Sequence, residues 1–501
     1  MLLGLLGVLP AVLGGCATAP PPPAAPEDSF VAADAGNMFR AAYGAIAERF
    51  TERADIGAIA TDGLRGLADV DPALAIGRSG DRIEVSAAGR PIASLDAPGA
   101  FDSDAWGKLS VKVWREARHA SPLLAAASPE DVYERIFDRA VAALDPNGRY
   151  STAAEARRNR ERRDGYTGIG VRIGTQQGET VITEVTGRGP AERAGVRVGD
   201  ILTQIDGRPV AGLDTETVLG RLQDDVSGWV RLAVRRPNRG TLRFVVLKNY
   251  LIPDTVRERY EDGILYLTIS HFNQGTAEDV ASTLATATGE LRGSLRGIVL
   301  DLRGNPGGLL QQSVKVADLF LAQGPILATR GRHPDSVQDY TAGGDDAAAG
   351  MPLAILVDGE AASAAELVAA ALQDRRRAVV IGSSTYGKGT VQTVVPLPNG
   401  GELSFTWSRA VPPSGTDLRG RGVRPAVCTS GLYFADGEAI ERLLTVEDGA
   451  GPAAALGCPS ERRDGPVDMA VARRLLQDPP LYARVVQHGM QVAATAREAV
   501  P

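Results

Sequence analysis

The residues after about 260 constrain the fold more than any other part of the chain, because short apolar runs alternate there with helical stretches. The apolar runs are ILYLTIS, GIVLDLR, LAILVD and AVVIG, at residues 264–270, 297–303, 353–358 and 378–382. Stretches such as LLQQSVKVADLFLA and AASAAELVAAALQD, which lie between them, have helical length and periodicity. Strands that are apolar throughout are buried on both faces, so this alternation predicts a mixed, largely parallel sheet.

Two different patterns precede this α/β region. Residues 30–164 are mostly helical, with Phe39, Tyr43, Ile46 and Phe50 at helical spacing, a strand-like piece at Arg82–Ser86 and no expected chemistry. Residues 165–250 instead alternate short β-branched runs with Gly-rich turns and include two short helices, which predicts one small, partly open β-domain.

The chain has 501 residues, more than one hydrophobic core usually serves, so we expect a multidomain protein of α/β and α+β class. Its units are a helical N-terminal region, the β-domain and the α/β core. The predicted boundaries are 1–15 for a signal peptide, 16–29 for an anchor and Pro-rich linker, 30–164, 165–250, 251–430 and 431–501, the last a helical C-terminal region.

The first fifteen residues are apolar and too short to span a bilayer in the mature protein, which is typical of a secretory signal. Residues 13–16, LGGC, resemble the bacterial lipobox, in which the cysteine, here Cys16, accepts lipid. No Lys or Arg precedes the apolar run, and a plain secretory signal stays an open alternative. We expect a periplasmic protein held to a bacterial membrane by lipid.

Export also bears on the other two cysteines. With Cys16 lipidated, Cys428 and Cys458 remain as an even pair in an oxidising compartment, which favours a disulfide between them. Sequence spacing alone does not establish that they are close, so two separate buried thiols stay an alternative.

The charge pattern argues against nucleic acid as a partner, since the net charge is −7. One basic run stands out, and a solvated helix face or linker is favoured for it over a partner-binding patch. Its arginines are Arg157, Arg158, Arg160, Arg162 and Arg163.

Metal chemistry and a histidine-based triad also find little support. The four histidines have no metal-ligand spacing, and no HExxH, CxxC or G-x-S-x-G motif occurs. The sequence therefore favours neither a metalloenzyme nor a Ser-His-Asp hydrolase, and we expect no cofactor.

Ser363 lies where the strand LAILVD turns into the helix beginning with AAELVAAA. Unpaired backbone N–H groups and the positive end of the helix dipole favour developing negative charge at such a place. It is also the only serine between Val357 and Gly382. A nucleophile and a simple helix cap are both compatible with this position.

Lys388 lies between Gly387 and Gly389, and such small neighbours let another backbone approach closely. A lysine in an apolar site has a lowered pKa and can act as a general base, which is the requirement of a Ser-Lys hydrolase. The stretch is also a near miss for a P-loop. Nucleotide binding is not favoured, because Gly389 stands where Ser or Thr belongs and a strand follows instead of a helix.

The stretch from Asp301 to Gly308 follows an apolar strand and ends in two glycines. Their backbone N–H groups could face an oxyanion. A tight strand-to-helix turn is the alternative explanation for Asn-Pro-Gly-Gly.

Together these segments resemble the carboxy-terminal processing, or tail-specific, serine peptidases. The matching elements are LDLRGNPGG at Leu300–Gly308, AASAAE at Ala361–Glu366, YGKGTVQ at Tyr386–Gln392, WSRAVPPSGTDLRGRGVR at Trp407–Arg424 and LDPNGRYST at Leu144–Thr152. Departures are modest: Ala361 and Ala365 replace serines, and Tyr386 replaces phenylalanine. Asp374 matches a family aspartate to which we assign a structural role.

The resemblance implies a serine endopeptidase with a Ser363–Lys388 dyad assisted by Gln392. The oxyanion would bind backbone N–H groups at Gly307 or Gly308 and at Ala364. Residues 165–250 would be a PDZ domain whose carboxylate-binding loop, Gly168, Ile169, Gly170 and Val171, holds the C-terminus of a peptide.

The implied substrates are unfolded or tail-exposed proteins, cleaved near apolar C-termini. Two alternatives remain: a non-catalytic PDZ scaffold, and a PDZ-like fold without affinity for peptides. An adaptor or a homo-oligomer is also left open.

Overall fold

The computed structural model of the chain describes residues 32–187, 189–223, 228–291, 293–432, 437–444, 457–462 and 465–487. None of the helices in these ranges is both long and apolar enough to cross a bilayer. The predicted signal peptide, Pro-rich linker and lipidated Cys16 lie outside the described residues, and the predicted domain boundaries stay predictions.

The N-terminal region is a helical bundle with a small antiparallel sheet. Ser or Asp residues cap several of the helices, and Phe39 of the first helix packs on Phe137 of the sixth with ring centroids 5.6 Å apart. Its elements are α1 (Ala32–Arg49), α2 (Ile56–Leu64), α3 (Leu67–Val70), β1 (Leu74–Ser79), β2 (Arg82–Ala87), β3 (Arg90–Asp96), α4 (Ser103–Ala120), α5 (Pro122–Ala126), α6 (Pro129–Leu144), β4 (Arg149–Ser151) and α7 (Ala153–Arg163).

The β-domain follows directly and is built on an antiparallel sheet in the order β11-β10-β8-β7-β6. Ile182, Leu202 and Val230 form part of its core together with Val218 of its longer helix. Its elements are β5 (Tyr166–Gly168), β6 (Val171–Gln176), β7 (Glu179–Val185), α8 (Pro190–Ala194), β8 (Ile201–Ile205), β9 (Arg208–Pro209), α9 (Thr215–Gln223), β10 (Trp229–Arg236), β11 (Gly240–Leu247) and β12 (Asn249–Leu251).

The α/β core contains two sheets. Its elements are β13 (Val256–Glu261), β14 (Ile264–Ile269), α10 (Thr276–Glu290), β15 (Gly297–Asp301), α11 (Leu310–Asp318), β16 (Gly324–Gly331), β17 (Gln338–Ala342), β18 (Leu353–Val357), α12 (Ala364–Asp374), β19 (Val379–Gly382), β20 (Thr390–Pro396), β21 (Glu402–Val411) and β22 (Val427–Cys428). Beyond it lie α13 (Gly437–Leu444) and α14 (Val467–Leu476).

The first sheet has the order β13-β14-β15-β18-β19-β22, and only its β13–β14 pair is antiparallel. Helices α10, α11 and α12 bury one face of this sheet and α14 covers the other, which is why its strands are apolar on both faces. The predicted mixed, largely parallel sheet is confirmed.

The second sheet is antiparallel, in the order β17-β16-β21-β20, and the sequence did not predict it. Strand β4 of the N-terminal region pairs with β21 in this sheet, with Tyr150 opposite Leu403. This pairing attaches the helical N-terminal region to the α/β core, next to the loop that follows β19.

Candidate active site

The turn between β18 and α12 positions Ser363. The buried Asp358 carboxylate accepts hydrogen bonds from the backbone N–H groups of Gly304, Glu360 and Ala361, at 2.9, 3.1 and 3.0 Å. Ser363 itself has φ +54° and ψ −119° at the N-cap of α12. This φ/ψ pair lies outside the left-handed helical region, costs about 1–3 kcal/mol in a residue other than glycine, and belongs to the strained conformations that cluster at functional sites.

Lys388 lies in the loop between β19 and β20 and is half-buried. Its Nζ donates a hydrogen bond to Gln392 Oε1 at 2.7 Å. Burial lowers the pKa of Lys388, and the Arg149 guanidinium lowers it further, whereas the carboxylates of Asp145 and Glu366 oppose this shift. A lowered pKa increases the fraction of neutral amine near neutral pH, as a general base requires.

Glu366 joins the loops that carry these two residues, although sequence reasoning did not select it. Its buried carboxylate accepts the N–H groups of Ser363 and Lys388 on one oxygen, at 2.8 and 3.0 Å. The other oxygen accepts the Thr385 hydroxyl and the Gly387 N–H, at 2.6 and 2.7 Å. The sequence signal for Glu366 was the Ser-x-x-Glu spacing of a capping box, but that spacing predicts only the hydrogen bond from the Ser363 N–H.

The N-terminal region contributes to the site as well, contrary to our expectation that it carries no chemistry. Gln392 donates its side-chain N–H to the Asn147 carbonyl. Asp145 holds this segment in place, accepting the N–H of Asn147 at 2.9 Å and that of Thr406 at 2.6 Å. The segment Leu144–Thr152 therefore orients the amide that binds Lys388.

Gly307 is the one predicted oxyanion donor that the structure argues against. Its N–H donates to Asn305 Oδ1 at 2.8 Å and is not available to substrate. Its lack of a side chain matters instead, because a Cβ there would lie 2.8 Å from Ser363 Cβ and 2.9 Å from the Ala364 nitrogen. In the described part of the chain, the N–H groups of Gly308 and Ala364 donate no hydrogen bond, and they remain the candidates.

Gly308 has φ +141°, and a Cβ on it would lie 2.1 Å from the Phe272 carbonyl oxygen. Phe272 donates its N–H to the Gly307 carbonyl at 2.9 Å and accepts the N–H of Leu309 at 2.9 Å. Only glycine allows this close approach, which fixes the loop beside Ser363.

The Gly168–Val171 loop lies between β5 and β6. Ile169 is buried in the core of the β-domain, so the loop presents its backbone rather than this side chain. None of the described residues accepts a hydrogen bond from the N–H of Ile169 or of Gly170. Such paired, unoccupied N–H groups suit a carboxylate.

This loop lines a cleft of about 830 Å³, called the interdomain cleft below. Leu219 and Leu222 of α9 line it with apolar side chains, and mainly polar and charged residues of β4 and α7 line it as well. The cleft therefore extends from the candidate carboxylate-binding loop to Arg149, whose charge acts on Lys388.

Cys428 and Cys458 form a disulfide, with their sulfur atoms 2.12 Å apart. In the described ranges, no group of three or more His, Cys, Asp or Glu side chains is placed to hold a metal ion.

Comparison with known proteins gives two family matches. Residues 263–428 match the sequence model of Peptidase family S41, and residues 181–236 match that of the PDZ domain. The carboxy-terminal-processing protease of Bartonella bacilliformis is 33% identical over 304 residues, which cover 60% of this chain and 70% of that protein.

Two further similarities cover different shares of the chain. A CtpA-like serine protease of Staphylococcus haemolyticus is 31% identical over 284 residues, 56% of either chain. Among solved structures, the photosystem II D1 C-terminal processing protease covers 83% of this chain and 98% of its own, at 23% identity and a TM-score of 0.39.

Proposed function

This chain belongs to the family of carboxy-terminal-processing serine proteases, with an S41 peptidase core and a PDZ domain, and we propose that it is an endopeptidase using Ser363 and Lys388. One observation carries the proposal. Lys388 is half-buried, and its Nζ donates a hydrogen bond to the neutral amide oxygen of Gln392. The backbone N–H groups of Lys388 and Ser363 both donate to the same oxygen, Glu366 Oε2. No ion pair to Lys388 occurs among the described residues, and an unpaired buried lysine favours its neutral form.

In the proposed mechanism, neutral Lys388 takes the hydroxyl proton of Ser363 as Ser363 Oγ attacks the peptide carbonyl carbon. The negative oxygen accepts hydrogen bonds from the N–H groups of Gly308 and Ala364. The C–N bond then breaks, and the leaving amine takes the proton back from Lys388. Water, deprotonated by Lys388, hydrolyses the acyl-enzyme and restores Ser363. Gln392 holds Lys388 in place throughout.

The proposed substrates are unfolded or tail-exposed proteins with apolar C-termini. The free N–H groups of Ile169 and Gly170 would bind the terminal carboxylate, while Leu219 and Leu222 would contact the last side chain. This role of the PDZ domain predicts that the tail, rather than the cleaved bond, selects the substrate.

We further propose that the protein is exported and anchored by lipid at Cys16, facing the periplasm. The lipobox-like residues 13–16 and the disulfide between Cys428 and Cys458 support this, since disulfides persist in oxidising compartments.

The proposal is tested with an unfolded reporter protein that ends in an apolar tail, either as a free carboxylate or amidated. We expect wild type to cleave the free tail faster. Ser363→Ala, Lys388→Ala and their double variant should be equally inactive, because the dyad acts as a unit. Lys388→Arg should be inactive too, since guanidinium stays protonated.

The outcomes separate the two functions. Binding of the reporter without cleavage by wild type would favour the non-catalytic PDZ scaffold. Equal cleavage of free and amidated tails would remove the proposed carboxylate recognition, and an active Lys388→Ala enzyme would overturn the mechanism.

A further inference from the structure

The arginine-rich helix α7 has two faces with different surroundings. On one face, Arg160 and Arg163 reach the buried carboxylate of Glu402, at 3.0 and 3.4 Å. This face fixes the helix to the second sheet of the core. Arg160 and Arg163 are therefore structural. They belong neither to the solvated helix face nor to the partner-binding patch that the sequence offered as alternatives.

The other face of α7 lines the interdomain cleft. Glu155, Arg158, Asn159 and Arg162 follow one another at helical spacing along that wall. Arg158 and Arg162 are exposed, and neither makes an ion pair or side-chain hydrogen bond with any residue that the structure describes. Two guanidinium groups thus face the cleft with their hydrogen-bonding capacity free.

The acidic residues of the cleft do not balance its arginines. Glu155 accepts the Thr152 N–H in a capping box, and Glu184 lies 3.5 Å from Arg172. Within the described ranges, the lining charges that have no ion pair are Arg149, Arg158, Arg162 and Arg257 against Glu155, Glu161 and Asp254. The lining of the cleft is therefore net positive by one charge.

The position of the α7 face in the interdomain cleft suggests where a substrate chain would contact it. The cleft begins at the Gly168–Val171 loop and reaches Arg149, which follows closely on Asn147, whose carbonyl accepts the Gln392 amide that binds Lys388. A chain whose carboxylate binds at the loop and whose scissile bond lies at Ser363 would follow this cleft, which leads from the loop toward the candidate site. The residues just upstream of its tail then lie against Arg158 and Arg162.

We propose that Arg158 and Arg162 form a specificity surface favouring substrates with acidic residues just upstream of the apolar C-terminal tail. The proposal rests on the proposed function, because it concerns the same substrates. Charged pairs at a partly exposed surface act mainly on selection and capture of the partner, and salt screens them.

The test uses two unfolded reporters with the same apolar tail and cleavage region. One carries Asp and Glu just before the tail, and the other carries Asn and Gln at the same positions. We expect wild-type kcat/KM to be roughly fivefold higher for the acidic reporter at low salt, and the ratio to approach one at high salt. In Arg158→Gln/Arg162→Gln the ratio should be close to one at every salt concentration.

Two further variants control for folding and for net charge. Arg40→Gln/Arg65→Gln loses the same charge from exposed positions elsewhere in the N-terminal region and should keep the wild-type ratio. Arg158→Glu/Arg162→Glu should reverse the preference toward a reporter with Lys at the same positions. Such a gain of preference cannot come from misfolding.

An unchanged ratio in Arg158→Gln/Arg162→Gln would overturn the proposal. If the ratio is unchanged and that variant also no longer binds vesicles of anionic lipid, the proposal is overturned as well, because the arginines would then bind a membrane surface. If wild type cleaves neither reporter, the proposed function itself fails. If wild type cleaves both equally and Ser363→Ala cleaves neither, only the specificity surface fails.

Discussion

At the scale of single residues, Lys388 is under opposing electrostatic influences. Burial and the Arg149 guanidinium lower its pKa, while Asp145 and Glu366 raise it. The hydrogen bond to Gln392 fixes the amine without supplying a negative charge. The environment therefore favours the neutral amine while keeping the residue in place.

Replacing Arg149 should change the pH dependence of cleavage. Arg149→Gln removes a cation that lowers the pKa of Lys388, so this pKa should rise. The neutral amine then appears only at higher pH, and the rising limb of kcat/KM against pH should move to higher pH. The measurement is a pH profile on the tailed reporter, with Arg40→Gln as the distant control. An unchanged profile, or a move to lower pH, would contradict the assigned influence of Arg149.

At the scale of structural elements, the site consists of two loops joined by one carboxylate. The loop before α12 carries Ser363, and the loop before β20 carries Lys388. Glu366 accepts hydrogen bonds from both loops, and the Thr385 hydroxyl, which donates to Glu366, also accepts the Val423 N–H at 2.7 Å. The relative position of the proposed nucleophile and base therefore depends on this side chain.

Glu366→Gln should separate the two loops. An amide supplies one acceptor oxygen where the structure uses two, so at least one of four buried donors loses its partner. We expect a loss of about 1–3 kcal/mol in the free energy of unfolding and a fall in kcat with a smaller change in KM.

Glu360→Gln, in the same turn but half-exposed, is the matched control and should retain stability and kcat. Denaturant titration and reporter kinetics measure both effects. A Glu366→Gln enzyme with wild-type kcat would show that the bridge does not position the dyad.

At the scale of the whole molecule, segments far apart in the chain enclose the site. Asn147 of the N-terminal region bonds to Gln392. Near the C-terminus, the Glu461 carbonyl accepts the Gly359 N–H and the Ser383 hydroxyl, each at 2.8 Å. The Cys458 carbonyl accepts the Ser384 hydroxyl at 2.7 Å. Residues 457–462 thus contact both loops of the candidate site, and the disulfide holds them there.

Removing the disulfide should therefore affect both stability and activity. The 30-residue separation implies on the order of 3–4 kcal/mol of stabilisation through the unfolded chain. Cys428→Ser/Cys458→Ser should unfold at lower denaturant concentration and show reduced kcat, and reductant should bring wild type to the same values. Thiol titration of denatured, unreduced protein should find neither cysteine free. Two free thiols, or a double variant as stable as oxidised wild type, would contradict this role.

Anchoring at Cys16 is a further prediction about the whole molecule. Cys16→Ser removes the proposed lipid acceptor, so the protein should become a soluble periplasmic protein or accumulate unprocessed. Fractionation and immunoblotting distinguish these from the membrane-associated wild type, and Ala17→Ser should fractionate like wild type. Unchanged fractionation of Cys16→Ser would favour a plain secretory signal.

The sequence by itself determined the features that depend on neighbouring residues. Apolar periodicity predicted the mixed sheet and the helical N-terminal region, and the motifs predicted the family. The glycines beside Lys388 were expected to allow a close backbone approach. This is confirmed, since a Cβ on Gly387 would lie 2.9 Å from the nitrogens of Arg421 and Gly422. Periodicity and turn chemistry act over a few residues, so the sequence displays them directly.

Only the tertiary structure decided which groups meet. Gly307 N–H is taken by Asn305, Glu366 bridges two loops, and Gln392 binds a carbonyl 245 residues away in the chain. The arginines of α7 divide among Glu402, Glu216 of α9 and the interdomain cleft, because the fold places these carboxylates against only part of the helix surface. Each of these outcomes depends on the packing of elements distant in sequence, which local patterns do not specify.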